Sequence, residues 1–284
     1  MIEFSLTDAG NLAIQQQMHS PAVYLDHWAM RRISEDSALE TRFVEVLTRK
    51  AGTLVISWLN LFEFTKMRDP KTVRAAEKLL EDVIPQLFFI ESNPFKVMEN
   101  EAHLSAGYVG SGAPQADTDL LRGLTFLRPA GLKAFTAEGL ITFLHEADIG
   151  KMIDELSSTV VERIEAMRVE MDSSVSVENL IRHRPQNRTF VNGTAQILQE
   201  LLRRFLYDRR INVTINDGID LLHTVVPVSY CDFVLLDRHW AKEVNRMRQQ
   251  FQRDHLKLPL AHVFSEPKDG IGRFLVQLSE YSDI

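Results

Sequence analysis

Residues Asn216–Trp240 read NDGIDLLHTVVPVSYCDFVLLDRHW, and this stretch decides the fold. Asp217 and Asp220 stand three apart and share one face of a helix, with His223 three further along it. An apolar run broken by Pro227 follows, then the polar knot Tyr230-Cys231-Asp232. Phe233-Val234-Leu235-Leu236 reads as a short buried strand. It stops on Asp237, and Arg238-His239-Trp240 opens a new helix. In open parallel α/β sheets, ligands bind outside the carboxyl ends of the strands. An acid closing a strand therefore faces the crevice, where the helical Asp220 can meet it.

Working outward, Ala22-Val23-Tyr24-Leu25 is a second apolar strand; it stops on Asp26 and is again followed by His and Trp. Thr53-Leu54-Val55-Ile56-Ser57 is a third, and Glu63 lies about two turns into the helix after it. Asp26, Glu63, Asp220 and Asp237 can converge, and four carboxylates in one crevice cannot all stay ionised without cations. Hard divalent ions, Mg²⁺ or Mn²⁺, suit such an oxygen set. A plainer reading stands beside each acid. Asp26 and Asp237 both precede helices and fit N-caps. Glu63 and Asp220 are flanked by apolar residues, where burial without a partner is costly, and this favours a role. Asp217 fits a helix cap and Asp232 a turn; both remain candidates for accessory metal ligands. His27, His223 and His239 read as structural because hard ions prefer oxygen. Cys231 reads as packing.

The four acids in this order resemble the PIN-domain nucleases. That family has an acid closing the first strand, a glutamate on the helix after the second, an aspartate on the helix before the fourth, and one closing the fourth. The residues carrying the resemblance are Asp26 in VYLDHW, Glu63 in ISWLNLFEF, Asp220 in NDGIDLLH and Asp237 in CDFVLLD. It covers residues 20–106 and 190–284. It implies an α/β three-layer sandwich on a parallel sheet of order 3-2-1-4-5, and a Mg²⁺- or Mn²⁺-dependent endoribonuclease acting on single-stranded RNA. All four acids would then be catalytic metal ligands. Where the family carries Thr or Ser near the last acid, this chain has Leu235 and Leu236. That departure supports a second reading, a PIN-like scaffold or RNA-binding protein that does not cut. A metal-dependent phosphatase of small substrates is a third.

The rest of the chain alternates as such a sheet requires. One helix is expected from about Trp28 to Lys50, stopped by Ala51-Gly52. Asp69-Pro70 starts another, Leu87-Phe88-Phe89-Ile90 is a strand, and Asn93-Pro94 leads a further helix. Right-handed crossovers make the sheet parallel and covered on both faces. Residues 1–20 either pack at an edge or stay loose. From Gly107 the composition turns small and polar, as in a loop or hinge. A long helix is expected from Thr136 to about Asp172, and another from about Asn192 to Tyr207. Residues 107–189 then form a helical insertion beside the crevice, packed on itself or serving as a lid or an arm for a partner, antitoxin-like or a second copy. The final strand is Ala261–Phe264, with a helix from about Gly270 to Tyr281.

Three basic clusters stand out: Arg182, Arg184 and Arg188; Arg203, Arg204, Arg209 and Arg210; and Arg238, Lys242, Arg246 and Arg248. The middle one fits cations at a helix C-terminus. The others flank the crevice, where contacts with a phosphate backbone compete with ordinary solvated faces; Arg182, Arg184, Arg188, Arg238 and Lys242 are the nucleic-acid candidates. The chain of 284 residues carries a net charge of −7, which argues against non-specific coating of nucleic acid but not against a local basic rim. Its one cysteine permits no internal disulfide. With no secretory signal pattern and no long apolar span, a cytoplasmic protein without membrane contact is expected.

Overall fold

A computed structural model describes residues 2–6, 12–65, 69–106, 113, 115–126, 149–174, 193–266 and 269–282. Its centre is a five-stranded parallel sheet: β3 (Ala22–Leu25), β4 (Thr53–Ile56), β5 (Leu87–Phe89), β6 (Phe233–Leu235) and β7 (His262–Phe264). Each strand is a run of three or four mostly apolar residues. In β3, β4, β5 and β6 every residue is buried, so helices cover both faces, as parallel sheets demand. Tyr24 in the middle of β3 pairs with Val55 on one side and Val234 on the other. The spatial order is β5-β4-β3-β6-β7. Counted over the whole chain this differs from 3-2-1-4-5, because a hairpin precedes the sheet. Among the sheet's own five strands it runs third, second, first, fourth, fifth.

That hairpin, β1 (Ile2–Leu6) with β2 (Leu12–Gln16), is antiparallel and packs at the sheet edge. Gln16 uses both ends of its amide on β5. Its Nε2 donates to the Phe89 carbonyl at 2.9 Å and its Oε1 accepts from the Phe89 N–H at 2.9 Å. Beyond it, Ile90 bridges to Ala116 instead of extending β5, and the Glu91 N–H donates to the Gln115 carbonyl. An edge strand is thereby closed by side chain and loop rather than left open.

The expected single helix over 28–50 is two: α1 (His27–Ser34) and α2 (Ser37–Arg49). Asp36 breaks it by accepting from the N–H groups of Ala38 and Leu39, an N-cap that a helix interior would forgo. α3 (Trp58–Thr65) follows β4, and α4 (Pro70–Asp82) starts on the Asp69 cap with proline at its first position. α5 (Pro94–Ser105) is capped by Asn93, and α6 (Thr118–Phe126) follows residues 115–117. α7 (Ile149–Ser173) is 25 residues long, about 37 Å, and α8 (Gly193–Tyr207) packs on it. Thr136, the expected start of that long helix, lies outside the described residues.

α9 (Ile215–Tyr230) runs through Pro227, which was expected to break the apolar run. Burial on all sides holds the helix together there: Leu221 through Val228 are all buried. Proline offers no N–H to the His223 carbonyl one turn back, and tertiary packing overrides the local preference. α10 (Arg238–Arg253) follows β6, and α11 (Gly270–Glu280) packs on β6, β7 and α2. Ile153, Val160, Ile164 and Met171 of α7 belong to the same apolar core as the sheet. α7 also crosses α9 closely: a Cβ on Gly218 would meet the Ser157 carbonyl oxygen at 2.9 Å.

Candidate metal centre

The carboxyl ends of β3, β4 and β6 lie side by side, and three short local devices arm them. Asp26 follows β3; its N–H continues the ladder by donating to the Leu235 carbonyl of β6 at 3.0 Å. Its Oδ1 accepts from the His27 N–H at 2.7 Å and caps α1. Asp237 lies two residues past β6 and caps α10, accepting from the Trp240 N–H at 2.8 Å. A carboxylate has two oxygens, so each acid can cap a helix and still face the crevice.

Glu63 is carried on α3, whose start is pinned by Asn60. The Asn60 Oδ1 accepts from the Ser57 N–H at 2.8 Å and from the Ser57 hydroxyl at 3.0 Å, while its Nδ2 donates to the Leu25 carbonyl at 3.1 Å. The helix is thus tied to the end of β3 beside Asp26. From the other side α9 brings a buried imidazole, His223. One ligand atom from each of Asp26, Glu63 and His223 lies within 4.8 Å of the other two. The His223 Nε2 is 3.6 Å from the Glu63 Oε2. The opposite ring nitrogen, Nδ1, meets the Tyr24 hydroxyl at 2.5 Å, and that hydroxyl faces the Ser57 Oγ at 3.5 Å.

The electrostatics fit a site short of positive charge. Burial pushes the Asp26 carboxyl up to about 7; the His27 N–H pulls the other way, and the charges of Asp220 and Asp237 add to the rise. Burial likewise raises Asp220 to about 6, with the Trp240 indole beside it offsetting part and Asp237 adding to it. Burial lowers His223 to about 3, so its imidazole is neutral at physiological pH and offers a lone pair rather than a counter-charge. Compared with protein-family models, curated proteins and solved structures, the chain matches none. Its chemistry has to be read from these side chains.

Of the sequence candidates, Asp26 and Glu63 come together, and Asp220 and Asp237 stand near enough to raise the Asp26 pKa. The latter two are not in the tight three-residue group. Asp217 is engaged elsewhere: it forms a capping box with Thr214, its Oδ2 accepting from the Thr214 N–H at 2.8 Å. Asp232 sits at the amino end of β6, the wrong end of the sheet. Its Oδ2 accepts from the Ala22 N–H at 2.7 Å and its Oδ1 from the Tyr281 hydroxyl at 3.3 Å. As an accessory ligand Asp232 is therefore a misreading; it ties the start of β3 to that of β6.

Arg238 and Lys242 are exposed on the first two turns of α10, next to Asp237. Arg182, Arg184 and Arg188 lie outside the described residues. The other cations are mostly paired: Arg203 with Glu200, Arg204 and Arg246 with Glu243, Arg209 with Asp172, Arg210 with Asp208. The residues missed from sequence are His223 and its support Tyr24. The signal was present, since His223 lies three residues after Asp220 on one helical face; a preference for all-oxygen ligands outweighed it.

Proposed function

We propose that this chain is a metal-dependent hydrolase of phosphodiester bonds, an endoribonuclease acting on single-stranded RNA. The observation that carries the proposal is the meeting of Asp26, Glu63 and His223 at the carboxyl end of the central strands, with Asp220 and Asp237 beside them. The PIN-domain resemblance adds the RNA preference, and the parallel five-stranded sheet between helices is compatible with that family's three-layer sandwich.

In this reading Asp26, Glu63 and His223 hold a divalent ion such as Mg²⁺ or Mn²⁺. The bound ion supplies charge neutralisation at the phosphate and a more acidic water. Asp220 and Asp237 would orient a water for in-line attack at phosphorus, and their negative charge would favour a cation in the site. Arg238 and Lys242, exposed on the helix that Asp237 caps, position the substrate through phosphate oxygens without reading bases.

The test uses purified protein, mixed single-stranded RNA and Mg²⁺ or Mn²⁺. Cleavage should stop in chelator and fall by at least about a hundred-fold in Asp26→Asn. The same substitution removes a buried charge, so the metal-free variant should be more stable to thermal unfolding than metal-free wild type at pH 8, by at least about 1 kcal/mol. Cleavage that persists in chelator, or survives Asp26→Asn combined with Asp237→Asn, removes the mechanism.

A further inference from the structure

The directions of four hydrogen bonds behind His223 are set by chemistry. The Asn60 amide cannot be flipped: its Oδ1 faces a backbone N–H, that of Ser57, and its Nδ2 faces a backbone carbonyl, that of Leu25. The Ser57 hydroxyl must then donate to Oδ1, and its oxygen is left to accept, as it does from the Asn60 N–H at 3.4 Å. The Ser57 hydroxyl therefore has no proton to give the Tyr24 hydroxyl 3.5 Å away, whose shorter contact is the one of 2.5 Å to the His223 Nδ1. In that contact the Tyr24 oxygen can accept from a protonated Nδ1, the tautomer that a metal bound at Nε2 requires. In that tautomer Nε2 carries a bare lone pair.

That lone pair is buried, has no hydrogen-bond partner among the described residues, and lies 3.6 Å from the Glu63 Oε2 in the three-residue cluster with Asp26. In that form Nε2 and a carboxylate oxygen from each of Asp26 and Glu63 are electron-pair donors within 4.8 Å of one another, an arrangement that a cation satisfies. We propose that the His223 Nε2 is a direct ligand of the ion held by Asp26 and Glu63, so that the site takes a borderline transition ion of the Mn²⁺, Co²⁺ or Zn²⁺ kind in preference to Mg²⁺. The inference rests on the metal-dependent reading above and adds the identity of the ion. Imidazole nitrogen strengthens binding along the transition series, while Mg²⁺ gains little from it and keeps its water. Tyr24 is a positioning residue: it sets which ring nitrogen faces the ion.

The experiment titrates chelator-stripped full-length protein with Mn²⁺ alone and with Mg²⁺ alone by calorimetry, without RNA. Wild type should bind Mn²⁺ at least about ten-fold more tightly than Mg²⁺. His223→Gln should bring the ratio close to one, chiefly by weakening Mn²⁺, and Tyr24→Phe should weaken Mn²⁺ by about ten-fold or more. Pulsed electron paramagnetic resonance of Mn²⁺-loaded wild type needs no variant to fold, and should show coupling to a ligating imidazole nitrogen. A nitrogen-free Mn²⁺ spectrum, a ratio unmoved by His223→Gln, or no binding of either ion overturns the inference. Selective Mn²⁺ binding by a protein that cleaves no RNA sustains it and sinks the nuclease reading. Cleavage supported equally by both ions and untouched by His223→Gln does the reverse.

Discussion

Single carboxylates carry the main tension in this molecule, because the fold repeatedly places them where water is scarce. Asp117 shows it away from the cluster of Asp26, Glu63 and His223. It is 3 % exposed and accepts from the Leu120 N–H at 2.8 Å. Burial, and then the charge of Glu91, push its carboxyl up to about 7. A pKa raised in the folded state means that the fold prefers the protonated form. This contribution to stability is complete below 3.8 and is lost as pH rises through about 7. Asp117→Asn keeps the acceptor and removes the charge. The variant should gain on wild type by at least about 1 kcal/mol between pH 5 and pH 8 in thermal melts. Parallel pH curves for the two proteins would show that the group is free to ionise.

Among elements, the join between α7 and α8 depends on one guanidinium. Arg168 of α7 donates to the Phe205 carbonyl through Nε at 2.8 Å and Nη2 at 2.6 Å, and to the Ile211 carbonyl at 2.8 Å. Those carbonyls end α8 and lead away from it, where a helix leaves its last acceptors unsatisfied. Glu165 holds the remaining face of the guanidinium at 2.6 Å. Arg168→Met fills similar space but offers no donor. It should cost about 2–3 kcal/mol, since bonds to charged groups exceed neutral ones. Urea unfolding is the measurement: a lower midpoint with the slope retained is expected. An unchanged midpoint would mean that water satisfies these carbonyls equally well.

At the scale of the whole molecule, α7 joins the sheet's core and lies against α9, the helix that carries Asp220 and His223. Among the described residues no helix is long and apolar enough to cross a membrane. The close approach at Gly218 leaves no space for water between α7 and α9 there. Deleting residues 107–189 behind a short linker should therefore uncover α9. Unfolding should become less cooperative and Mn²⁺ binding should weaken, because His223 loses the packing that fixes its helix. Circular dichroism in urea and an ion titration on the shortened chain check this. A shortened protein that unfolds sharply and binds the ion as well as the full chain would mark the insertion as a separable subdomain.

The sequence by itself determined the alternation of strands and helices, because each strand is a short apolar run and each helix has a local cap such as Asp69 or Asn93. It also determined that acids close β3 and β6, since crossover rules leave a parallel sheet little choice of direction. Local signals could mislead where packing competed with them. Asp36 split a helix that periodicity joined, and burial carried α9 through Pro227. Which side chains meet was decided only by tertiary structure. Asp232 is five residues before Asp237, yet the length of β6 puts it at the opposite end of the sheet. His223 enters the site because of how α9 is rotated against β3, where Tyr24 holds its ring. The spacing of three from Asp220 puts His223 on the same helical face, but which way that face turns depends on close packing with α7 and the sheet, a property of long-range contacts.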